Sequence, residues 1–81
     1  MNQTEIINRL QVVFDKLFLE SPNLTPQLTA ADVPEWDSLL QISLLVAVEK
    51  EFSIRFRVGE VEATKNIGDF ADLIARRMTE K

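Results

Sequence analysis

A serine between an acid and a leucine is the part of this chain best suited to carry chemistry. Asp37, Ser38 and Leu39 stand where a proline-containing segment gives way to a long apolar run. Asp37 or Ser38 can cap the helix predicted by that run, and Ser38 with Gln41 has capping-box spacing. A phosphate ester on Ser38 would be stabilised at the positive end of the helix dipole. The position therefore suits a phosphodiester, and a plain helix cap also explains it.

The residues around Ser38 form a longer pattern. It begins with Asp-Val-Pro-Glu-Trp-Asp-Ser-Leu at positions 32–39 and continues through Leu45 to Glu-Lys-Glu-Phe-Ser-Ile at positions 49–54. With this pattern the chain resembles the acyl carrier protein family, whose motif is an aspartate, a serine and a leucine. In that family the serine carries 4′-phosphopantetheine through a phosphodiester. The resemblance implies that Ser38 is the attachment residue and that Asp37 and Leu39 complete the cofactor-binding motif.

The same resemblance implies a carrier and not an enzyme. A separate phosphopantetheinyl transferase would supply the base and the metal that let Ser38 attack the pyrophosphate of coenzyme A. The thiol of the arm would hold an acyl or aminoacyl group as a thioester for acyl-loading and acyl-transfer enzymes. The chain has no cysteine and no histidine, which excludes thiolate zinc sites and a histidine base. We therefore expect no resident metal, and the thiol chemistry would belong to the prosthetic group.

Length, composition and charge restrict the possible classes of protein. The 81 residues are 46% hydrophobic and 27% charged, which predicts one folded domain over residues 1–81. Much of the net charge of −4 lies near Ser38, because residues 30–52 hold five acids against one lysine. This acidity disfavours nucleic acids and favours basic protein partners. No basic leader or apolar run of roughly 20 residues is present, so we expect a cytoplasmic protein without a membrane span. We also expect a monomer.

Apolar periodicity predicts the helices that must position Ser38. Residues 4–19 form an amphipathic pattern, residues 38–52 a more apolar one, and a last helix follows a cap at Asn66. Prolines keep residues 21–36 from forming one helix, which leaves an unusually long connection. Its expected anchors on the core are Leu24, Leu28, Val33 and Trp36. Trp36 could instead stack on a ligand or partner, but its place before a helix favours the anchoring role.

The remaining segment between the second and last helices is less regular. Residues 53–58 alternate apolar and charged side chains, which fits a short strand or an extended linker equally well. We choose the linker because the sequence offers no second strand. Residues 59–63 are predicted to form one short helical turn. The predicted fold is therefore all-α: a small four-helix bundle of three main helices and one short helix, with a long loop between the first and second helices.

Each predicted helix has an expected buried face. In the first helix it comprises Ile6, Ile7, Leu10, Val13, Phe14, Leu17 and Phe18. In the second it comprises Ile42, Leu45, Val48 and Phe52. In the last it comprises Ile67, Phe70, Leu73, Ile74 and Met78. These assignments follow from helical spacing.

The second helix is more apolar than one core contact requires. Leu39, Leu40 and Val46 lie off its predicted buried face. A helix surrounded on all sides would have the same composition, but this chain has too few other elements to cover it. We therefore predict an exposed apolar strip that binds partners, and the predicted partner-binding residues are Leu40, Ser43, Val46, Glu49 and Lys50.

The residues of this helix also bear on the pathway. Leu40 and Ser43 stand where carriers of the fatty-acid type have acidic residues, and Lys50 interrupts an acidic run. In these residues the chain more closely resembles discrete carriers of specialised polyketide, peptide or related pathways.

Two other classes of function are consistent with the sequence. A scaffolding or regulatory helical domain could keep the fold and use Ser38 only as a cap. A small nucleic-acid-binding helical protein could use Arg55 and Arg57 beside Phe56, although the acidic charge disfavours it. Modification of Ser38 would exclude the first, and a steep salt dependence of nucleic-acid binding would support the second.

Overall fold

Three α-helices make up the architecture. The computed structural model describes residues 2–57 and 59–79. Helix α1 spans Gln3–Leu17, helix α2 spans Ser38–Phe52 and helix α3 spans Ile67–Thr79. Helix α1 packs against both α2 and α3, and no strand occurs among the described residues. The prediction of an all-α fold with a long loop between the first two helices is confirmed.

The predicted short fourth helix is not confirmed. Residues 59–63 form successive hydrogen-bonded turns, in which Glu60 N–H donates to the carbonyl of Arg57 and Ala63 N–H to that of Glu60. One turn of 3₁₀ helix, which the sequence did not predict, occurs instead at Ala30–Asp32 within the long loop. Residues 54–57 form a linker without helix or strand, as predicted, after a left-handed turn at Ser53. Val58, the last residue of the predicted linker, lies outside the described residues.

Helix α1 begins and ends at residues other than the predicted ones. Asn2 caps it: its side chain accepts from Glu5 N–H at 2.9 Å, and the Glu5 carboxylate accepts from Asn2 N–H at 3.2 Å. This capping box starts the helix at Gln3. The helix ends at Leu17, because Phe18 has an extended backbone. Phe18 is nevertheless buried, as predicted, and Leu17 is half-buried.

The core lies between the three helices. Helix α3 contributes its predicted residues, with Met78 only half-buried. The prediction for α2 was wrong at Ile42, which is 62% exposed. The buried face of α2 is instead Leu44, Val48 and Phe52, with Leu45 half-buried. Periodicity failed here because α2 is apolar on several sides, so its contact with α1, and not its composition, decides which side is buried.

The long loop is fixed by hydrogen bonds to the helices. Gln11 of α1 donates to the carbonyl of Pro22 and accepts from Leu24 N–H, both at 2.9 Å. At its other side the loop meets the start of α3, where Gly68 N–H donates to the carbonyl of Pro26 at 2.9 Å. A Cβ atom at Gly68 would lie 3.1 Å from that carbonyl oxygen. The loop is therefore held against α1 and α3.

Apolar side chains anchor the loop as well. Val33 is buried, while Leu24, Leu28 and Trp36 are half-buried against the core. The Trp36 ring meets Phe14 edge-on, with the ring centres 5.2 Å apart, and meets Phe18 in the same way at 6.0 Å. Such edge-to-face contacts stabilise aromatic pairs. The predicted anchoring role of Trp36 is confirmed, and it fixes the chain immediately before Ser38.

Candidate functional site

Ser38 is the first residue of helix α2, and its side chain is exposed. The cap of this helix is Asp37, whose Oδ1 accepts from Leu40 N–H at 2.9 Å. The predicted Ser38–Gln41 capping box was wrong, because Gln41 Oε1 instead accepts from the indole N–H of Trp36 at 2.6 Å. The Ser38 hydroxyl has no hydrogen-bond partner among residues 2–57 and 59–79. It is therefore not needed to hold the helix.

The backbone around Ser38 is suited to an anion. Gln41 N–H donates to the Asp37 carbonyl at 2.9 Å, so the third and fourth amides of α2 are both satisfied. The N–H groups of Ser38 and Leu39 have no acceptor within the described part of the chain. Free amides at a helix start carry the positive end of the dipole. A phosphodiester on Ser38 Oγ fits this end of the helix, because the site offers donors and an unengaged hydroxyl.

The approach to Ser38 is fixed by neighbouring acids and aromatics. The Glu35 carboxylate accepts from Leu19 N–H at 2.8 Å and Glu20 N–H at 3.1 Å. These bonds hold the loop where it leaves α1 against the segment that enters α2. Beside Ser38 is an open hollow of about 300 Å³, lined by Glu35, Asp37, Leu39, Leu40 and Ser43. The surface beside the serine is thus accessible, acidic at its rim and partly apolar.

An apolar strip runs along the outward face of α2 from this hollow. Leu39 is 76% exposed, Ile42 62% and Val46 50%. Their i, i+3, i+7 spacing places them on one helix face, and we call these three residues the exposed strip. The expectation of exposed apolar residues beside Ser38 is met, but with different members. Sequence reasoning missed Ile42, although its spacing from Leu39 and Val46 is as regular as that of the buried face.

The other residues predicted to bind partners are scattered over α2. Leu40 is half-buried against the core, and Ser43 is exposed near the hollow. Glu49 is half-buried, and its carboxylate accepts from Phe56 N–H at 2.9 Å, which ties the linker to α2. Lys50 is exposed near the other end of the helix. Ser43 and Val46 can share a surface with Ser38, whereas Glu49 has a structural partner already.

The chain is similar to solved structures and to curated sequences of one family. A solution NMR structure of the holo acyl carrier protein from Geobacter metallireducens matches with a TM-score of 0.76 and 33% identity, over 96% of this chain and 86% of that one. The acyl carrier protein of Thermosynechococcus vestitus is 30% identical over 79 residues, covering 96% of this chain and 98% of the relative. The chain belongs to the acyl carrier protein family.

A further acyl carrier protein, from Acidothermus cellulolyticus, is 28% identical over 76 residues, covering 93% of this chain and 90% of the relative. No family model matches the chain. Acyl carrier proteins are carriers and not enzymes, and their cofactor is covalently attached 4′-phosphopantetheine. Both expectations are therefore confirmed at the level of the family.

Residues 2–57 and 59–79 contain no group of acidic side chains arranged to hold a metal ion. No helix in the described ranges has both the length and the apolar character needed to cross a bilayer.

Proposed function

We propose that Ser38 is the residue that carries 4′-phosphopantetheine, and that residues 1–81 act as one carrier domain. The observation that supports this most directly is that two adjacent residues differ in role at the start of α2. Asp37 caps the helix, whereas the adjacent Ser38 hydroxyl is exposed and makes no hydrogen bond to the described residues. A serine required only as a cap would be expected to accept from the first turn.

The residues around Ser38 have separate roles in this proposal. In the attachment step the Ser38 Oγ–P bond forms while the P–O bond between the two phosphates of coenzyme A breaks. The adenosine bisphosphate half leaves, and the serine proton passes to a base of the transferase. Asp37 keeps the first turn of α2 in place. The N–H groups of Ser38 and Leu39 favour the phosphodiester through the helix dipole. Trp36 and Glu35 fix the incoming loop, so the arm would leave from a rigid point.

The proposal extends to partners and setting. We infer that a phosphopantetheinyl transferase and acyl-loading and acyl-transfer enzymes bind near the exposed strip of Leu39, Ile42 and Val46. Such apolar exposure supports partner binding, because contiguous apolar patches on soluble domains often mark protein interaction sites. Leu40 and Ser43 support a specialised polyketide, peptide or related pathway over general fatty-acid synthesis. A cytoplasmic, monomeric carrier is part of the same proposal.

A scaffolding domain of the same fold is the competing function. In that case Ser38 would have no role beyond helix initiation, and Asp37 already supplies the cap. Substitution of Ser38 would then leave function intact. The two functions therefore differ in a single measurable property, which is covalent modification at Ser38.

Intact mass spectrometry tests the proposal. The purified apo protein is incubated with coenzyme A, Mg²⁺ and a broad-specificity phosphopantetheinyl transferase. We expect one phosphopantetheinyl adduct in the wild type and none in Ser38→Ala. Ser43→Ala is the matched control, because Ser43 is also an exposed serine of α2. It should still carry one adduct at the end of the reaction, even if partner contact at Ser43 makes modification slower. An adduct on Ser38→Ala, or no adduct on folded wild type with several transferases, would refute attachment at Ser38.

A further inference from the structure

A basic groove lies at the end of α2 remote from Ser38. It has a volume of about 750 Å³ and is formed by the last turn of α2, the following linker and helix α3. Its lining residues are Val46, Glu49, Lys50, Ser53, Ile54, Arg55, Arg57 and Arg77. We call this surface the basic groove.

The charges of the basic groove are only partly used by the fold. Arg77 has a guanidinium Nε 3.7 Å from a Glu60 carboxylate oxygen, and its side chain is only 9% exposed. The Glu49 carboxylate accepts from the linker backbone. By contrast, Lys50, Arg55 and Arg57 are exposed, and none of them has an ion-pair partner among residues 2–57 and 59–79. Three cations therefore remain available in a chain whose net charge is −4.

The basic groove is continuous with the exposed strip. Val46 belongs to both surfaces, so the apolar residues that start beside Ser38 lead directly into the groove. The helical rise of 1.5 Å per residue puts the groove residue Ser53 about 22 Å from Ser38 along α2. One face of the carrier thus has an acidic end at Ser38, an apolar middle and a basic end.

We propose that the basic groove is a docking site for an acidic segment of the enzymes that use this carrier, an inference that rests on the proposed carrier function. The bound surface would place carboxylates against Arg55 and Arg57 and apolar side chains along the exposed strip. Opposite charges at the two ends of one face fix the direction in which a partner binds, because the reversed orientation brings like charges together. The groove therefore orients the partner's active site toward Ser38.

Charge complementarity favours an acidic protein segment over a nucleic acid. A nucleic-acid strand that followed the same face from the groove would bring its phosphates against Glu35 and Asp37. An acidic segment with neighbouring apolar residues matches both the basic groove and the exposed strip. The acidic segment of the partner is accordingly expected to lie about 20 Å from the entrance of the partner's active site, which is the distance between Ser38 and the groove along α2.

Binding of designed peptides to the ¹⁵N-labelled apo protein tests this inference. The probe is a 16-residue helical peptide with leucines at i, i+3 and i+7 and a cluster of glutamates at one end. We expect it to shift the amide signals of the exposed strip and of Arg55 and Arg57. A peptide with lysines in place of the glutamates should leave the amide signals of Arg55 and Arg57 unshifted, because like charges repel it from the groove.

Matched charge variants locate the contact. The double variant Arg55→Glu/Arg57→Glu should weaken binding of the glutamate peptide by at least tenfold. The control Lys65→Glu/Arg76→Glu changes net charge equally at exposed positions outside the groove and should bind almost as the wild type does. Equal weakening in both variants would overturn the inference, because it would show that only overall charge matters.

Other outcomes also separate the possibilities. The absence of shifts in the groove at millimolar glutamate peptide would overturn the inference. So would tighter binding of a single-stranded oligothymidine to the same residues, which would assign the groove to nucleic acid. These titrations need no modification of Ser38, so their failure would leave phosphopantetheinylation of the wild type unchanged. Conversely, failure of modification alone would refute the carrier function without altering the peptide result.

Discussion

Helices α1 and α2 have the same length, but their outward sides differ in polarity. Each has 15 residues and buries apolar side chains against the other. The outward side of α1 is mainly polar, with Glu5, Asn8, Asp15 and Lys16 exposed around a single large apolar residue, Val12. The outward side of α2 carries the exposed strip instead. The difference shows that the apolar content of α2 serves both a core and a second surface, and that the second surface lies next to Ser38.

The largest expected effect is a difference in the free energy of unfolding between substitutions on the buried and the exposed face of α2. Leu44 is fully buried, whereas Ile42 is 62% exposed. Leu44→Ala should lower the free energy of unfolding by about 2–5 kcal/mol, since it leaves a cavity in the core. Ile42→Ala should change it by less than about 0.5 kcal/mol. Urea unfolding followed by circular dichroism measures both, and a comparable loss in the two variants would mean that Ile42 is not a surface residue.

A smaller effect distinguishes the outer faces of α1 and α2 by binding. Ile42→Ser should lower kcat/KM for phosphopantetheinylation by roughly tenfold, because an interface residue that matters contributes more than about 1 kcal/mol. Val12→Ser is the matched control, since Val12 is 52% exposed on α1, and it should leave the rate unchanged. Unchanged kinetics in Ile42→Ser would remove the transferase from the exposed strip.

The smallest effect concerns the ion pair that joins the two helices. Arg9 of α1 lies 2.7 Å from a carboxylate oxygen of Glu51 on α2, and both side chains are more than a third exposed. A double-mutant cycle with Arg9→Met and Glu51→Gln should give a coupling free energy of about 0.5 kcal/mol. It should decrease further in 1 M salt, because partly exposed charges are screened.

The cycle is measured by urea unfolding of the wild type, the two single variants and the double variant at low and at high salt. A coupling energy of several kcal/mol that is insensitive to salt would contradict this prediction, because it would mean that the pair behaves as a buried ion pair and not as a partly exposed one. Arg9 also donates to the carbonyl of Glu51 at 2.9 Å and lies over the Phe52 ring. The single variant Arg9→Met therefore loses more than the ion pair, which is why the cycle is needed to isolate it.

The start of helix α2 at Ser38 was predicted better than the packing around it. The sequence predicted that Ser38 would begin a helix after a proline-interrupted loop, and the structure agrees. The capping partner was predicted wrongly in part, since Gln41 bonds to Trp36 and leaves Asp37 as the cap. Either Asp37 or Ser38 could have satisfied the same amides, so local chemistry alone could not choose. In the structure Asp37 is the cap, and Gln41 bonds to the Trp36 ring that packs on Phe14.

The sequence by itself determined the helical segments, the loop and the position of the serine, because helical spacing, prolines and caps act over a few residues. Only the tertiary structure decided that Ile42 faces outward and Leu44 inward, since α2 is apolar on both sides and contact with α1 selects one. It also brought the arginines of the linker beside Arg77 of α3. Residues about 20 positions apart meet there because the chain folds back, which no local pattern specifies.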